Sequence, residues 1–270
     1  MKANSRWSPL LPWSGSLFFS LIFLDIFNSP TGRQNSRRCR CYRCRMDKLN
    51  IRALRSSLLG TIAMAALLFI PAGTFDYWQA WFFMAVFVGA SAAITVYLAI
   101  EDPMLLERRM NAGPAAEKEP TQKVLMFFAM MAFIALLVFP AFDHRFGWSP
   151  VPSYISLAGD ALIAFGFLLI FIVIKVNTYA ASTIQIAEGQ KVISTGPYAL
   201  VRHPMYAGAF PLLTGVPLAL GSWWGLFVLI VFMPALIWRL VDEEKFLQKN
   251  LPGYTDYCQK VRYRLVPFVW

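Results

Sequence analysis

Residues 196–208 read GPYALVRHPMYAG and place Arg202 beside His203, one of only two histidines in the chain. A proline drives the residue before it out of the helical region, so Gly196 and His203 are expected to be extended. Pro204 suits the first turn of a helix. The open N–H groups and dipole of such a helix start favour an anion, for example a cofactor carboxylate. Gly208, one turn further on, allows close approach of a ligand or of another helix. The plain alternative is a loop whose Arg202 snorkels and whose His203 sits at an interface. For an isolated Arg-His pair that alternative wins. The fixed offsets of Pro197, Tyr198, Pro204, Tyr206 and Gly208 reverse the balance.

A second charged cluster, Asp242-Glu243-Glu244-Lys245, follows an apolar run. A solvated helix end is its simplest explanation, but acids at a membrane edge normally need a partner. The closing segment LPGYTDYCQKVRYRLVPFVW alternates Tyr254, Tyr257, Tyr263, Phe268 and Trp270 with Lys260, Arg262 and Arg264. That pattern reads as an interfacial anchor, compatible with clamping a substrate. His144, in a short loop, is expected to have no role. Met126, Met130 and Met131 are packing or lipid-facing residues, and Glu101-Asp102-Pro103 ends a helix. Nothing in residues 46–110 looks chemical, so substitutions there should be tolerated better than in the two charged clusters.

The elements that must position these residues follow from composition. Of 270 residues, 57% are hydrophobic and 15% charged, with a mean hydropathy of +0.51. Soluble domains carry about a quarter charged residues, and a bilayer-crossing helix needs about 20 apolar ones. The apolar stretches are continuous rather than alternating, which disfavours a β-barrel. The fold class is therefore all-α, a polytopic membrane helical bundle with about six transmembrane segments. Spans are expected at 57–71, 78–100, 124–142 and 154–176, with a long apolar stretch at 206–240. The basic run from Arg33 to Arg55 places the N-terminal side in the cytoplasm. Alternation then puts the Arg202–His203 loop on the cytoplasmic face.

The stretch 206–240 decides the topology. As one straight helix it would be about 52 Å long, against a hydrocarbon core of about 30 Å. It would also carry the basic C-terminal segment to the far side. A break near Gly221-Ser222, loosened by Gly215 and Pro217, gives a helical hairpin. The hairpin returns Glu243 and Glu244 to the leaflet that holds Arg202 and His203.

Residues 1–45 form a basic extension, either disordered or upstream of a start at Met46, and are set aside from the fold. Residues 46–153 hold the N-terminal transmembrane helices and 154–270 a catalytic membrane unit. Cys39, Cys41 and Cys44 lack the fourth ligand of a zinc site, so no metal is expected. The net charge of +10 reflects cytoplasmic loops and lipid headgroups rather than nucleic acid, because no basic patch is interleaved with stacking aromatics outside the membrane.

The two-part pattern Arg202-His203-Pro204-Met205-Tyr206-Ala207-Gly208 and Glu243-Glu244-Lys245-Phe246-Leu247 resembles the integral-membrane isoprenylcysteine carboxyl methyltransferases. It is also similar to the wider group that holds the phospholipid N-methyltransferases. The resemblance covers about residues 154–270. It implies S-adenosylmethionine as methyl donor at the cytoplasmic membrane edge. It implies a cofactor site of Gly196, Pro197, Tyr198, Arg202, His203, Pro204, Tyr206, Gly208, Glu243 and Glu244. It further implies that Arg202 and Glu244 serve catalysis, with a basic residue of the closing segment holding an acceptor carboxylate. The typical arginine aligns near Lys260, with Arg262 close by; a lysine lacks the planar bidentate fork.

The leading expectation is an S-adenosylmethionine-dependent methyltransferase whose lipid-like acceptor enters from the bilayer, a carboxylate of isoprenylcysteine type ranking first. A phospholipid amine or a small thiol are alternatives within that class. An NADPH-dependent membrane reductase of similar fold and a non-catalytic scaffold are alternatives outside it. A thiolate or carboxylate acceptor needs only alignment; an amine must lose a proton, which gives Glu244 or His203 more to do. Trp238 is placed for cation–π contact with a sulfonium, though interfacial anchoring suits it better. His203→Ala and Glu244→Gln are each expected to abolish cofactor binding and leave the protein folded.

Overall fold

The computed structural model describes residues 42–110, 120–178 and 192–270, with side chains from residue 47 and from Lys123 in the helix that opens at Pro120. Most of the N-terminal extension, with Cys39, Cys41 and the side chain of Cys44, lies outside the described residues. Eight α-helices follow in order: α1 Tyr42–Ala72, α2 Trp78–Glu101, α3 Pro103–Met110, α4 Pro120–Phe146, α5 Ser153–Val176, α6 Pro204–Ala219, α7 Gly225–Asn250 and α8 Tyr254–Lys260. A 3-10 turn at Gly196–Ala199 precedes α6. There is no strand among the described residues. Among the described residues, five helices contain stretches long and apolar enough to cross a membrane: Asp47–Ala72, Trp78–Glu101, Lys123–Phe146, Ser153–Val176 and Gly225–Asn250. The chain is an integral membrane helical bundle.

The helix at 42 opens before Met46, so α1 begins inside the segment that sequence reasoning set aside. Asp102 ends α2 as expected and starts α3 by accepting the Leu105 N–H at 2.9 Å. The short amphipathic α3 buries Leu105, Leu106, Arg109 and Met110.

The expected break is present at the right place. Helix α6 stops at Ala219, and Gly221 turns the chain with φ of 73°, a left-handed conformation that glycine adopts without a Cβ penalty. Helix α6 has 16 residues and so is about 24 Å long, short for a crossing. Its tip nonetheless reaches the loops at the far end of the bundle. Tyr77, just before α2, donates its hydroxyl hydrogen to the Leu220 carbonyl at 2.6 Å. Ser222 donates to Asp143 at the end of α4, which also accepts from the Ser149 N–H at 2.7 Å and the Ser149 hydroxyl at 2.6 Å. The Gly225 N–H that opens α7 donates back to Ser222 Oγ at 3.0 Å. Helix α6 thus reaches the far end of the bundle with fewer residues than its neighbours.

What lets so short a helix pack tightly is its seam with α5, the most extensive helix pair of the bundle. A Cβ on Gly159 would stand 2.3 Å from the Ala219 nitrogen, and one on Gly166 would stand 2.7 Å from the Gly208 carbonyl oxygen. A Cβ on Gly215 would meet the Gly159 carbonyl oxygen at 2.5 Å. Small residues that let backbones touch are the usual means of helix association where lipid removes the hydrophobic drive. Gly208, read in the sequence as room for a ligand or a helix, serves the helix.

Candidate functional site

The hairpin sets the C-terminal end of α7 against the loop before α6. Arg202 Nη1 lies 2.7 Å from Glu244 Oε1, and Arg264 Nε lies 2.6 Å from Glu244 Oε2. One carboxylate therefore ties three segments: the loop, α7 and the tail beyond α8. Two oxygens accepting from two guanidinium groups is strong, directional pairing. Beside it the Tyr206 hydroxyl donates to Glu243 Oε2 at 2.8 Å. Arg239, one turn before Glu243 on α7, hydrogen-bonds the same tyrosine oxygen and acts on Glu243. Glu243, Glu244, Arg239 and His203 are all buried.

The tail completes the enclosure through its backbone. The N–H groups of Arg202 and His203 donate to the carbonyls of Tyr263 and Arg264 at 2.9 and 3.0 Å. Arg264 and Leu265 donate their N–H groups to the Trp270 carbonyl at 2.8 and 2.9 Å, and the Arg264 guanidinium lies 5.4 Å from the Trp270 ring centroid. Tyr257 donates its hydroxyl hydrogen to the Tyr198 carbonyl at 2.7 Å, and Asn177 donates to the Tyr198 hydroxyl at 2.7 Å.

The electrostatics are those of a dry, crowded site. Burial, with Arg202 and Arg264 adding to it, brings His203 down to about 3, so it is neutral at physiological pH. Burial raises Tyr198 to about 12, against a lowering contribution from the Asn177 hydrogen bond. Within this cluster, His203 Nε2, Arg202 Nε and the Tyr254 hydroxyl are buried and find no hydrogen-bond partner among the described residues. Tyr254 lies close enough to Glu243 and Glu244 for both to act on its hydroxyl. Buried polar groups left unpaired are costly, so this cluster is suited to a polar ligand with both donors and acceptors.

The structure brings together Arg202, His203, Tyr206, Glu243 and Glu244, as the sequence led us to expect. Pro204 occupies the first position of α6 and His203 is its N-cap. Other expectations are revised. Gly196 is not extended: its φ is +58°, a left-handed conformation open to glycine even before a proline. Gly208 faces α5, where an added Cβ would meet Ile170 Cγ1 at 2.9 Å, and not the polar cluster. Lys260 and Arg262 are exposed, whereas Arg264, in the segment whose backbone pairs with residues 202–203, meets Glu244. Trp238 is 59% exposed.

Residues 46–110 are not inert either. Arg109 is fully enclosed at 0% exposure; burial lowers its guanidinium to about 9, while Tyr198 of the site raises it. Sequence reasoning also passed over Arg239, Arg264, Tyr254 and Tyr257. Arg239 had a signal, its i, i+4 spacing to Glu243; the others depend on contacts distant in sequence. His144, expected to have no role, stacks on Tyr77 with ring centroids 3.9 Å apart, a packing contact at the opposite end of the bundle.

Residues 154–252 match the family described as phospholipid methyltransferase. That stretch contains both halves of the polar cluster except α8 and the tail, and it supports an enzyme of methyltransferase type in the membrane. The Delta(14)-sterol reductase TM7SF2 of Mus musculus is 33% identical over 91 residues, 33% of this chain. The match covers 22% of that relative's own length.

Proposed function

We propose that the chain is a membrane-embedded, S-adenosylmethionine-dependent methyltransferase acting on a lipophilic acceptor. The observation that carries the reading is the buried junction of Arg202, Glu244 and Arg264 with three unpartnered polar atoms beside it. A zwitterionic cofactor needs donors for its carboxylate and acceptors for its ammonium. Arg202 Nε and the Tyr254 hydroxyl can donate, Tyr254 and neutral His203 can accept, and Glu243 and Glu244 supply negative charge nearby. The residues therefore fit the group. When bound, S-adenosylmethionine supplies a methyl group on a sulfonium.

The chain's own part is to bind, align and exclude water. The tail and α8 cover the cluster, and a site closed in this way strengthens each electrostatic contact within it. His203, held neutral, orients by hydrogen bonding rather than by charge. Among acceptors, a phospholipid amine now ranks ahead of an isoprenylcysteine-type carboxylate. Lys260 and Arg262, the expected carboxylate holders, are exposed, and Arg264 is engaged by Glu244. The matched family points the same way. The acceptor reaches the cluster sideways from the bilayer.

The test is transfer of a labelled methyl group from S-adenosylmethionine to a total lipid extract by detergent-purified protein. A methylated amine headgroup is expected. A base-labile methyl ester would restore the carboxylate reading, and absence of transfer to any fraction would overturn the methyltransferase. A second reading, a nicotinamide-dependent reductase, is favoured by the identity with the sterol reductase. S-adenosylhomocysteine and NADPH separate the two by thermal shift: stabilisation by NADPH alone would select the reductase, and stabilisation by neither a non-catalytic scaffold.

A further inference from the structure

The buried acids among the described residues are Asp143, Asp160, Glu243 and Glu244. Asp143 accepts from serines and a backbone N–H, Glu243 from Tyr206, and Glu244 from two arginines. Asp160, on α5, is different. It is 2% exposed, and neither of its carboxylate oxygens has a hydrogen-bond partner among the described residues. Nothing in the proposed methyl-transfer site uses it.

Two further buried, unpartnered oxygens occur where this end of α5 meets the hairpin tip. Ser156 is one helical turn before Asp160, on the same face, fully enclosed, and its hydroxyl oxygen is unpaired. Gln79 of α2 has a buried, unpaired Oε1. Both side chains converge beside the hairpin tip: the point where a Cβ on Gly221 would stand is 3.4 Å from Gln79 Nε2 and 3.7 Å from Ser156 Oγ. The C-terminal end of α6 abuts the same spot, since Gly159, the residue before Asp160, lies against Leu218 and Ala219. A helix C-terminus carries partial negative charge. It repels a carboxylate and attracts a cation.

We propose that the junction of α2, α5 and the α6 tip binds one small monovalent cation through Asp160, Ser156 and Gln79. The donors are hard oxygens from a carboxylate, a hydroxyl and an amide, which select alkali and alkaline-earth ions over softer metals. One carboxylate balances one positive charge. No group of three His, Cys, Asp or Glu that could hold a multivalent metal occurs among the described residues. Water alone would satisfy the hydroxyl and the amide but leave a bare carboxylate beside the negative end of a helix, in a part of the bundle where ionised groups are costly. Half-helix C-termini beside a carboxylate are the kind of place where intramembrane sodium sites form. The cation ties α5 to α2 and to the hairpin tip, so its effect is on the stability of the bundle. The inference does not rest on the methyltransferase reading.

The test is thermal unfolding of the detergent-purified full chain in sodium chloride and in N-methylglucamine chloride at equal ionic strength, N-methylglucamine being too large to enter. The unfolding temperature is expected to rise saturably, by several degrees, with sodium only. Asp160→Asn should lose that dependence, and in sodium-free medium should unfold no lower than the unaltered protein, because it removes an unneutralised charge. Saturable binding of labelled sodium to the unaltered protein, at one ion per chain, gives a readout that needs no variant to fold. The same unfolding temperature in both salts, no saturable sodium binding, or a sodium response that persists in Asp160→Asn would each overturn the site; the first two outcomes would mean that Asp160 is held neutral by a proton.

Discussion

At the scale of single residues, Glu244 changes meaning once the structure is in view. Its sequence context suggested a ligand-binding acid whose loss would spare the fold. Joined to both Arg202 and Arg264, it also holds three segments together. Glu244→Gln leaves two cations facing a neutral group in a buried site, and breaking a buried pair from one side costs about 3–5 kcal/mol. A lower unfolding temperature is therefore expected together with lost S-adenosylhomocysteine binding. Arg264→Ala should weaken that binding by an order of magnitude or more, whereas Lys260→Ala, at an exposed position, should leave the affinity unchanged; titration calorimetry on the two variants decides it. His203 gives a pH dependence of defined sign. Its folded value is depressed from 6.5 to about 3, so between these values the unfolded chain binds a proton that the folded chain refuses. Its contribution to stability is constant above about pH 6.5 and falls as pH falls below it, by at most about 1.4 kcal/mol per pH unit. Acid melts of His203→Gln should show a shallower decline than those of the unaltered protein over that window.

At the scale of elements, the prediction concerns the α5–α6 seam. Gly159→Ala inserts a methyl where 2.3 Å is available against backbone, and overpacking of this kind costs about 1–3 kcal/mol. Gly89→Ala on α2 is the control, since a Cβ there meets nothing within 4 Å and alanine is the better helix former. Melting curves should show the first variant destabilised and the second unchanged or slightly improved. The seam also marks a boundary of what the sequence discloses. Apolar length alone located α2, α5 and the hairpin closely, because a bilayer imposes that length on any helix that crosses it. The break at Gly221 was legible from glycine and the overlong run. The glycines at 159, 166, 208 and 215 were visible, but nothing local says that they face one another. In the same way, Arg202, His203, Tyr206, Glu243 and Glu244 announced themselves by type and spacing. Arg264 and Tyr254 did not, because their inward orientation comes from backbone pairing of the tail with a loop some 60 residues earlier. Arg109 was hidden by lying in a short helix of the other half.

At the scale of the whole molecule, the fold-back places the Arg202 loop and the C-terminal tail on one side and the Leu220–Ser222 turn on the other. Single cysteines at exposed Lys260 and at exposed Trp223 should react with a membrane-impermeant maleimide from opposite faces of sealed vesicles; labelling of both from the same face would contradict the hairpin. The turn is held by Asp143, and Asp143→Asn should lower the unfolding temperature, since it weakens a hub that serves Ser149 and Ser222 together. This attachment also bears on how the protein is made. A helix as short as α6, with prolines at 211 and 217, gains its place in the bilayer from α5 alongside it and from Tyr77 and Asp143 at its tip. Those partners are synthesised earlier, so a ribosome feeding this chain into the membrane delivers α6 to a surface already built for it, and a nascent chain lacking α4 or α5 would leave that arm stranded at the headgroups.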